Sequence, residues 1–273
     1  MKKILIVGKK GFIGNSLYKY LKKYFDVKLV DFRTFTKTKK INNFNYIINC
    51  SINKNYAFKK YDKKHDFDLK ICNKIKSYDI KQIFLSTRKI YENRANIKET
   101  SKKLPSCNYS KNKLTSEKKL KKILKNKILI LRISNIIGQK SKFKYRKVHN
   151  TFQDVFFKNV KNGIIFDNKK AFKDFLPQAL FNKIIKNLIS MNLSGEFNIS
   201  LGRKVYLNKV VQWLNYYNKN KVRVVNYTKL NNYKNDSFYL NNSKLIKKTG
   251  IKIRLIDLER EIKKISKNYF YEK

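Results

Sequence analysis

Tyr109 and Lys113, in the stretch NYSKNK (108–113), are a pair that could transfer a proton. Residues four apart share one face of a helix, so the phenol and the ammonium group would be neighbours. A free tyrosine has a pKa of about 10, and a nearby cation stabilises its phenolate and brings proton transfer closer to neutral pH. The spacing alone has little weight, because it occurs six times: Tyr18/Lys22, Tyr24/Lys28, Tyr56/Lys60, Tyr109/Lys113, Tyr217/Lys221 and Tyr269/Lys273.

A second motif, GKKGFIG (8–14), holds three of the chain's eight glycines. An apolar run typical of a buried strand (3–8) precedes it, and an amphipathic, helix-like run (15–25) follows it. In that context glycines let the backbone approach a pyrophosphate, which the helix N-terminus then holds. The predicted cofactor-binding residues of this loop are Gly8, Gly11, Phe12, Ile13 and Gly14.

Asp31 ends the next apolar run, VKLVD (27–31), at the position where an acid accepts hydrogen bonds from an adenosine ribose. Its charge would repel a 2′-phosphate, which favours NAD. Arg33 could instead pair with that phosphate, so NADP stays possible. The next predicted strand begins at Asn45, too soon for a complete helix-and-strand unit. We therefore expect a loop with at most a short strand over 32–44.

Short apolar runs alternate with amphipathic basic runs through the first half of the chain. The predicted strands are 3–8, 27–31, 45–51, 82–87 and 127–134, and the predicted helices are 15–25, 66–78 and 109–124. Strands that are almost wholly apolar and alternate with helices predict a doubly wound α/β fold, with a parallel sheet covered on both faces.

The pattern loosens after Gly138. We expect a surface loop over 140–147, helices over 151–163, 177–190 and 208–218, and short strands over 196–200 and 221–227. We divide the chain into an NAD(P)-binding Rossmann-like domain (1–138) and a smaller, mainly substrate-binding lobe (139–273). Some segments of that lobe are expected to return to the first domain.

The formal net charge is +48, but the lysines are spread from end to end rather than gathered in one stripe. Lys, Asn, Ile, Phe and Tyr are abundant together and share AT-rich codons, so genome bias accounts for the composition. We expect anionic ligands such as nucleotides to be attracted, and no nucleic-acid partner.

Cellular location and metal content are inferred from what the chain contains. The three cysteines have no Cys-x-x-Cys spacing, and no signal peptide or membrane-spanning apolar run is recognisable, so we expect reduced thiols in the cytoplasm and no membrane association. The two histidines, His65 and His149, are interpreted as surface residues, and we predict no metal site.

Seven motifs occur in an order that resembles the extended short-chain dehydrogenase/reductase family, the NAD-dependent epimerase/dehydratase group of nucleotide-sugar enzymes. They are GKKGFIG (8–14), LSTRKIY (85–91), YSKNK (109–113), LRISNIIG (131–138), FKDFLP (172–177), GEFNISLG (195–202) and DSFYLNNSKL (236–245). The resemblance covers nearly the whole chain. Of the six tyrosine–lysine pairs, only Tyr109/Lys113 has the family's position, between the strand ending in LST and the strand LRISN.

The resemblance implies roles for these residues. Tyr109 would transfer a proton while a hydride moves between a sugar carbon and the nicotinamide, and Lys113 would also bond the nicotinamide ribose. Thr87 would share the substrate oxygen through its hydroxyl. Ser86 is the neighbouring candidate, but alignment on Ile90 and Tyr91 favours Thr87.

A nucleotide-diphosphate sugar is the substrate that the resemblance implies. Asn135 matches the asparagine of the family's nucleotide clamp, and Lys173 stands where the family has an arginine. Lysine can neutralise a phosphate but lacks the planar fork of arginine. A second arginine expected shortly before Asp236 is absent, since Tyr233 and Lys234 stand there.

The reaction type is narrowed by the residues after Thr87. Arg88 and Lys89 replace the Asp-Glu pair of family dehydratases, and two cations cannot do the work of those carboxyl groups in eliminating water. We favour an epimerase. The alternatives are an NAD(P)H-dependent 4-keto-sugar nucleotide reductase resembling dTDP-4-dehydrorhamnose reductase, and a cofactor-binding protein that has lost catalysis. A homodimer is possible, although the helix over 109–124 is strongly basic.

Overall fold

A computed structural model describes residues 1–138, 164–167, 171–218, 223–226 and 237–270. The strands are β1 (Lys3–Val7), β2 (Asp26–Val30), β3 (Tyr46–Asn49), β4 (Lys81–Thr87), β5 (Ile128–Ile133), β6 (Asn135–Ile137), β7 (Ile164–Asp167), β8 (Phe172–Lys173), β9 (Phe175–Pro177), β10 (Gly195–Ile199), β11 (Val205–Tyr206) and β12 (Arg223–Asn226). The helices are α1 (Phe12–Leu21), α2 (Phe32–Lys37), α3 (Lys54–Phe58), α4 (Phe67–Ile75), α5 (Asn108–Leu124), α6 (Gln178–Ser190), α7 (Leu207–Leu214), α8 (Ser243–Thr249) and α9 (Leu255–Phe270).

Six strands form one sheet in the order β10-β5-β4-β3-β1-β2, and every neighbouring pair is parallel. The order reverses at β1, since the chain moves outward to β2 and then returns to β3 on the other side. Ligands of open α/β sheets bind at such a reversal, beyond the carboxyl ends of the strands. The remaining described strands pair as β6–β9, β8–β11 and β7–β12.

Helices cover both faces of the sheet because β1 alternates its side chains between two cores. Ile4 and Ile6 pack against α1 and α6 on one face. Leu5 and Val7 pack against α4 and α5 on the other. The predicted doubly wound α/β fold is thus confirmed. Strand β10, from the second half of the chain, pairs with β5 in the main sheet.

A smaller apolar cluster joins α7 to α9 beside the sheet. Val210 and Trp213 of α7 pack against Leu258 and Ile262 of α9. Sequence analysis placed a helix near α7 but none at α9. The expected loop over 140–147 and helix over 151–163 lie outside the described residues, and the domain boundary at 138 stays a prediction.

The expectation of a loop over 32–44 was wrong, because this segment forms α2 and a 3₁₀ turn, Ile41–Asn43. Asp31 Oδ1 accepts a hydrogen bond from the backbone N–H of Thr34 (2.8 Å), which caps the helix. Phe35 is buried beneath it. A capped helix of six residues satisfies the local backbone in less chain than a full helix-and-strand unit needs.

A network of buried charged side chains holds α5 against the sheet. Glu117 of α5 accepts hydrogen bonds from Arg132 Nη2 of β5 (2.8 Å) and from the Ser86 hydroxyl of β4 (2.5 Å). Arg132 Nη2 also pairs with Glu196 of β10 (2.6 Å), and Arg132 is only 1% exposed. A desolvated charge costs free energy unless it is paired. The position of α5 therefore depends on this network.

Arg132→Met should destabilise the fold strongly, because it leaves the Glu117 carboxylate buried without its cation. The expected loss in the free energy of unfolding is about 3–5 kcal/mol in urea denaturation. The matched control is Arg254→Met, which removes a surface pair with Asp257 (3.3 Å) and should cost about 1 kcal/mol or less. Similar losses in the two variants would refute the assignment.

Candidate active site

The glycine loop lies between β1 and α1, where the strand order reverses. The backbone N–H groups of Gly8 and Lys9 donate to Val30 O, at 2.7 and 3.1 Å. Val30 is the last residue of β2 and directly precedes Asp31. The structure thus brings the loop and Asp31 together.

Close packing requires glycine at two positions of this loop. Gly8 has φ +135°, and a Cβ on Gly14 would lie 2.5 Å from Gly8 O. Gly11 occupies the cap position of α1 and has no side chain to bond the first turn. Phe12 and Ile13 belong to that turn. The start of α1 therefore fits a phosphate group, which backbone N–H groups and the helix dipole can hold.

Asp31 and Arg33 lie beside the loop in different surroundings. The hydrogen bond from Thr34 lowers the pKa of the Asp31 carboxyl, so Asp31 is ionised at neutral pH. The carboxylate is partly exposed and could accept hydrogen bonds from a ribose. Arg33 is exposed on α2.

The start of α5 sets the position of Tyr109. The Cys107 N–H donates to Ser110 Oγ (3.2 Å), and Asn108 Nδ2 donates to Phe58 O (2.9 Å). Tyr109 therefore lies in the first turn, and its phenol forms a side-chain hydrogen bond with the Thr87 hydroxyl at the end of β4. The structure joins these two predicted residues directly.

Ser86 and Thr87 point to different partners, which separates the two candidates for the hydroxyl role. Ser86 lies on the same face of β4 as Phe84, the face that α5 covers, and its hydroxyl donates a hydrogen bond to Glu117. Thr87 bonds Tyr109. Of the two hydroxyls, Thr87 is the one beside the candidate acid–base group.

Lys113 is buried one turn after Tyr109. Its Nζ lies 3.6 Å from Asp68 Oδ2 of α4, 4.5 Å from the Phe84 ring centre and 5.7 Å from the Tyr56 ring centre. Aromatic faces attract cations, and the carboxylate neutralises the ammonium charge. These contacts hold Lys113 at the carboxyl ends of the central strands.

The Tyr109 phenol is subject to opposing influences. Loss of hydration raises its pKa above the ordinary value of 10.0, the Lys113 ammonium lowers it, and the Asp68 carboxylate raises it. The Thr87 hydrogen bond lowers it. The net shift is upward, whereas the sequence suggested a lowered pKa from Lys113 alone.

Cys50, which follows β3, connects the glycine loop with the tyrosine–lysine pair. A Cβ on Gly8 would lie 2.9 Å from the Cys50 carbonyl carbon. Burial raises the pKa of the Cys50 thiol, Asp68 raises it further, and Lys113 lowers it, so the thiol is near both charges. The predicted cofactor loop and the predicted catalytic pair therefore meet at one edge of the sheet.

The two predicted substrate residues also lie close to each other. Asn135 pairs with Phe175 between β6 and β9, and its Nδ2 donates to Asp174 O (3.3 Å). Lys173 is the preceding residue and is buried. Asp174 accepts backbone hydrogen bonds from Leu201 (3.0 Å) and Leu240 (2.9 Å), which ties this segment to the rest of the chain.

Comparison with known proteins identifies the family. A sequence model described as the NAD dependent epimerase/dehydratase family matches residues 4–176, more than half of the chain. The chain belongs to the NAD-dependent epimerase/dehydratase family. The resemblance seen in the motifs is thereby confirmed. No curated protein sequence matches the chain.

Solved structures of this fold include enzymes with three different reactions. UDP-N-acetylglucosamine 4-epimerase from Methanobrevibacter ruminantium M1 is 19% identical, with a TM-score of 0.75 and coverage of 100% of this chain and 99% of that one. dTDP-glucose 4,6-dehydratase from Bacillus anthracis str. Ames in complex with NAD is 15% identical, with a TM-score of 0.75 and coverage of 100% of this chain and 97% of that one. A dTDP-4-dehydrorhamnose reductase from Clostridium acetobutylicum ATCC 824 is 18% identical, with a TM-score of 0.72 and coverage of 95% of this chain and 98% of that one. At these identities the likeness is one of fold.

Sequence analysis missed Asp68. An acidic residue near the start of a helix is common, because it complements the helix dipole, so its type and position gave no reason to single it out. A signal does exist in the pattern, since Asp68 is the only polar residue of the α4 face formed by residues 68, 71, 72 and 75. Its partner, Lys113, is far away in sequence.

The described ranges contain no group of three or more His, Cys, Asp and Glu side chains able to hold a metal ion. Within those ranges, no helix combines the length and apolar character needed to cross a bilayer. His65 is partly buried and contacts Asn55 Nδ2 at 3.3 Å, whereas His149 lies outside the described residues.

Removing the two neighbouring hydroxyls should have different effects. Ser86→Ala should cost about 1.5–3 kcal/mol in the free energy of unfolding, because it removes a hydrogen bond to the buried Glu117 carboxylate. Thr87→Val should raise the pKa of Tyr109, because it removes a donor to the phenolate. Urea denaturation and the ¹³C NMR titration of labelled tyrosine measure the two effects, with Tyr109→Phe identifying the Tyr109 signal. A Tyr109 titration that responds to Ser86→Ala and not to Thr87→Val would contradict this geometry.

Proposed function

We propose that this protein is an NAD(P)-dependent epimerase of a nucleotide-diphosphate sugar, with Tyr109 as the acid–base group. The observation that carries the proposal is the hydrogen bond between Thr87 and Tyr109, with Lys113 one turn away on α5. This constellation lies at the sheet edge that also holds the glycine loop. Membership of the family and its NAD-dependent description support the same cofactor.

The proton transfer is carried out by residues of the chain itself. The Tyr109 phenolate accepts the proton of a sugar hydroxyl as that carbon is oxidised to a ketone, and the phenol returns it when the ketone is reduced from the other face. A bound NAD(P) would supply the acceptor and the donor of the hydride at that carbon. Lys113 stabilises the phenolate, and the Thr87 hydroxyl orients the reacting oxygen.

The cofactor would be held by groups around the reversal of the sheet. The start of α1, with Gly8, Gly11 and Gly14, suits the pyrophosphate. The ionised Asp31 suits the adenosine ribose and favours NAD over NADP. Because Arg33 is exposed and could pair with a 2′-phosphate, NADP is the second candidate cofactor. Lys113 would bond the nicotinamide ribose.

A 4-keto-sugar nucleotide reductase is the second candidate. It needs the same tyrosine and lysine, and the dTDP-4-dehydrorhamnose reductase fold covers 95% of this chain. A dehydratase is disfavoured. Arg88 is buried with its guanidinium 3.7 Å from the Phe238 ring centre, and Lys89 is exposed, so neither supplies a carboxyl group after Thr87.

The substrate and the partners belong to the proposal as well. Asn135 and buried Lys173 would contact the nucleotide and its phosphate, which suits a nucleotide-diphosphate sugar. Loss of catalysis in a cofactor-binding protein is disfavoured by the intact Thr87, Tyr109 and Lys113. We expect no nucleic-acid partner. A homodimer stays possible, but the exposed lysines of α5 would repel their copies across a symmetric contact.

Tyr109→Phe should lower turnover about 10²–10⁴-fold, because it removes the group that transfers the proton. Product formation from a panel of UDP- and dTDP-sugars, followed by chromatography, measures this. Tyr18→Phe is the matched control, since Tyr18 belongs to another tyrosine–lysine pair with Lys22 Nζ 5.6 Å from its ring centre. That variant should keep wild-type turnover. Equal activity of Tyr109→Phe and the wild type would refute the catalytic assignment.

Cofactor consumption distinguishes the two candidate reactions. An epimerase should convert its sugar with no added NAD(P)H, because each hydride is returned to the sugar. A reductase should consume one NAD(P)H for each product, seen as loss of absorbance at about 340 nm. We expect conversion without net consumption, and stoichiometric consumption would establish the reductase instead.

A further inference from the structure

The buried carboxylate of Asp68 has no part in the proton transfer described so far, yet it faces the lysine that tunes Tyr109. Asp68 Oδ2 lies 3.6 Å from Lys113 Nζ, and the side chains of the two residues are 6% and 8% exposed. The Coulomb interaction of such a pair is weakly screened by water. Asp68 and Tyr109 therefore compete for the same ammonium charge.

The contacts of Asp68 differ from those of its neighbour, Asp66. Asp66 caps α4 through the Leu69 N–H (2.9 Å) and accepts hydrogen bonds from Ser116 Oγ (2.6 Å) and Tyr61 Oη (3.0 Å). Those bonds join α4 to α5 and explain a buried acid by structure alone. The Asp68 carboxylate contacts Lys113, forms a side-chain hydrogen bond with Asn49 and, at the long distance of 3.5 Å, accepts one from Gln82 Nε2.

Asp68 is ionised under the conditions in which Tyr109 would act. Burial raises the pKa of Asp68 to about 6, and Lys113 opposes that rise. At neutral pH the carboxylate is therefore charged, and it raises the pKa of Tyr109. Within the described part of the chain, the titratable groups around Asp68, Lys113 and Tyr109 are Cys50, Tyr56, His65, Asp66, Cys72 and Cys107.

We propose that Asp68 is a positioning residue, which holds the Lys113 ammonium group and withholds part of its charge from Tyr109. In the free protein Tyr109 then stays a phenol. This inference rests on the proposed function of Tyr109 and Lys113 and adds a regulator of their proton transfer.

The test is a ¹³C NMR titration of Tyr109 in ligand-free protein carrying ring-labelled tyrosine, with Tyr109→Phe identifying the signal. Asp68→Asn removes the charge and keeps the shape, so the Tyr109 midpoint should move to lower pH by about one unit. Asp257→Asn removes the same charge from an exposed pair on α9 and should leave the midpoint unchanged. An unmoved Tyr109 midpoint in Asp68→Asn would overturn the proposal.

A second variant and two further readouts complete the test. If Asp68→Asn fails to fold, Asp68→Ser removes the carboxylate with a smaller side chain. In the wild-type protein, the Tyr109 signal should also respond as Asp68 ionises near pH 6, and a flat signal there would count against the proposal. In enzyme that turns over, the acid limb of the kcat/KM profile should move to lower pH in Asp68→Asn.

The outcomes separate this inference from the proposed function. Full turnover by Tyr109→Phe would refute the catalytic role of Tyr109, while the NMR titration would still report the coupling to Asp68. An unchanged titration in Asp68→Asn, together with loss of turnover in Tyr109→Phe, would refute the role of Asp68 alone.

Discussion

The geometry of the candidate site depends on the buried hydrogen bonds and ion pairs that hold α5 against the sheet. The buried face of this helix is largely polar: Ser110, Asn112, Lys113, Ser116 and Glu117 are all buried. Each such group must find a partner, because an unpaired polar or charged group away from water costs several kcal/mol. Arg132 and Ser86 meet Glu117, and Asp66 meets Ser116. These directional bonds fix the rotation of α5 more tightly than apolar packing would.

That rotation decides which side chains reach the carboxyl ends of the strands. With Glu117 locked onto β5, Lys113 lies one turn earlier against Asp68, and Tyr109 lies one turn earlier again beside Thr87. The same geometry brings a conflict, since α4 presents a carboxylate to the lysine that should stabilise a phenolate. The Asp68 carboxylate therefore disfavours ionisation of Tyr109, although Tyr109 and Lys113 are the residue types of a proton-transfer pair.

Much of this arrangement could be predicted from the sequence because it depends on short-range patterns. The apolar strands predicted the parallel sheet, and the order of motifs singled out Thr87, Tyr109 and Lys113, which the structure brings together at one edge of that sheet. α2 was missed because six residues are too few for a periodic pattern. Asp68 could not be found, since its role depends on a residue on another helix. The sequence does carry a signal for α9, in the helical spacing of Leu258, Ile262 and Ile265, which are buried together.

In the proposed reaction, Tyr109 exchanges a proton with the sugar at the carbon that exchanges a hydride. A crystal structure with NAD and the nucleotide sugar that the enzyme converts would show this, through the distance from Tyr109 Oη to the sugar oxygen nearest the nicotinamide. We expect a hydrogen bond of about 2.6–3.2 Å, with Lys113 on the nicotinamide ribose. Nucleotides bound at the glycine loop with Tyr109 out of reach of any sugar oxygen would rule out this role of Tyr109.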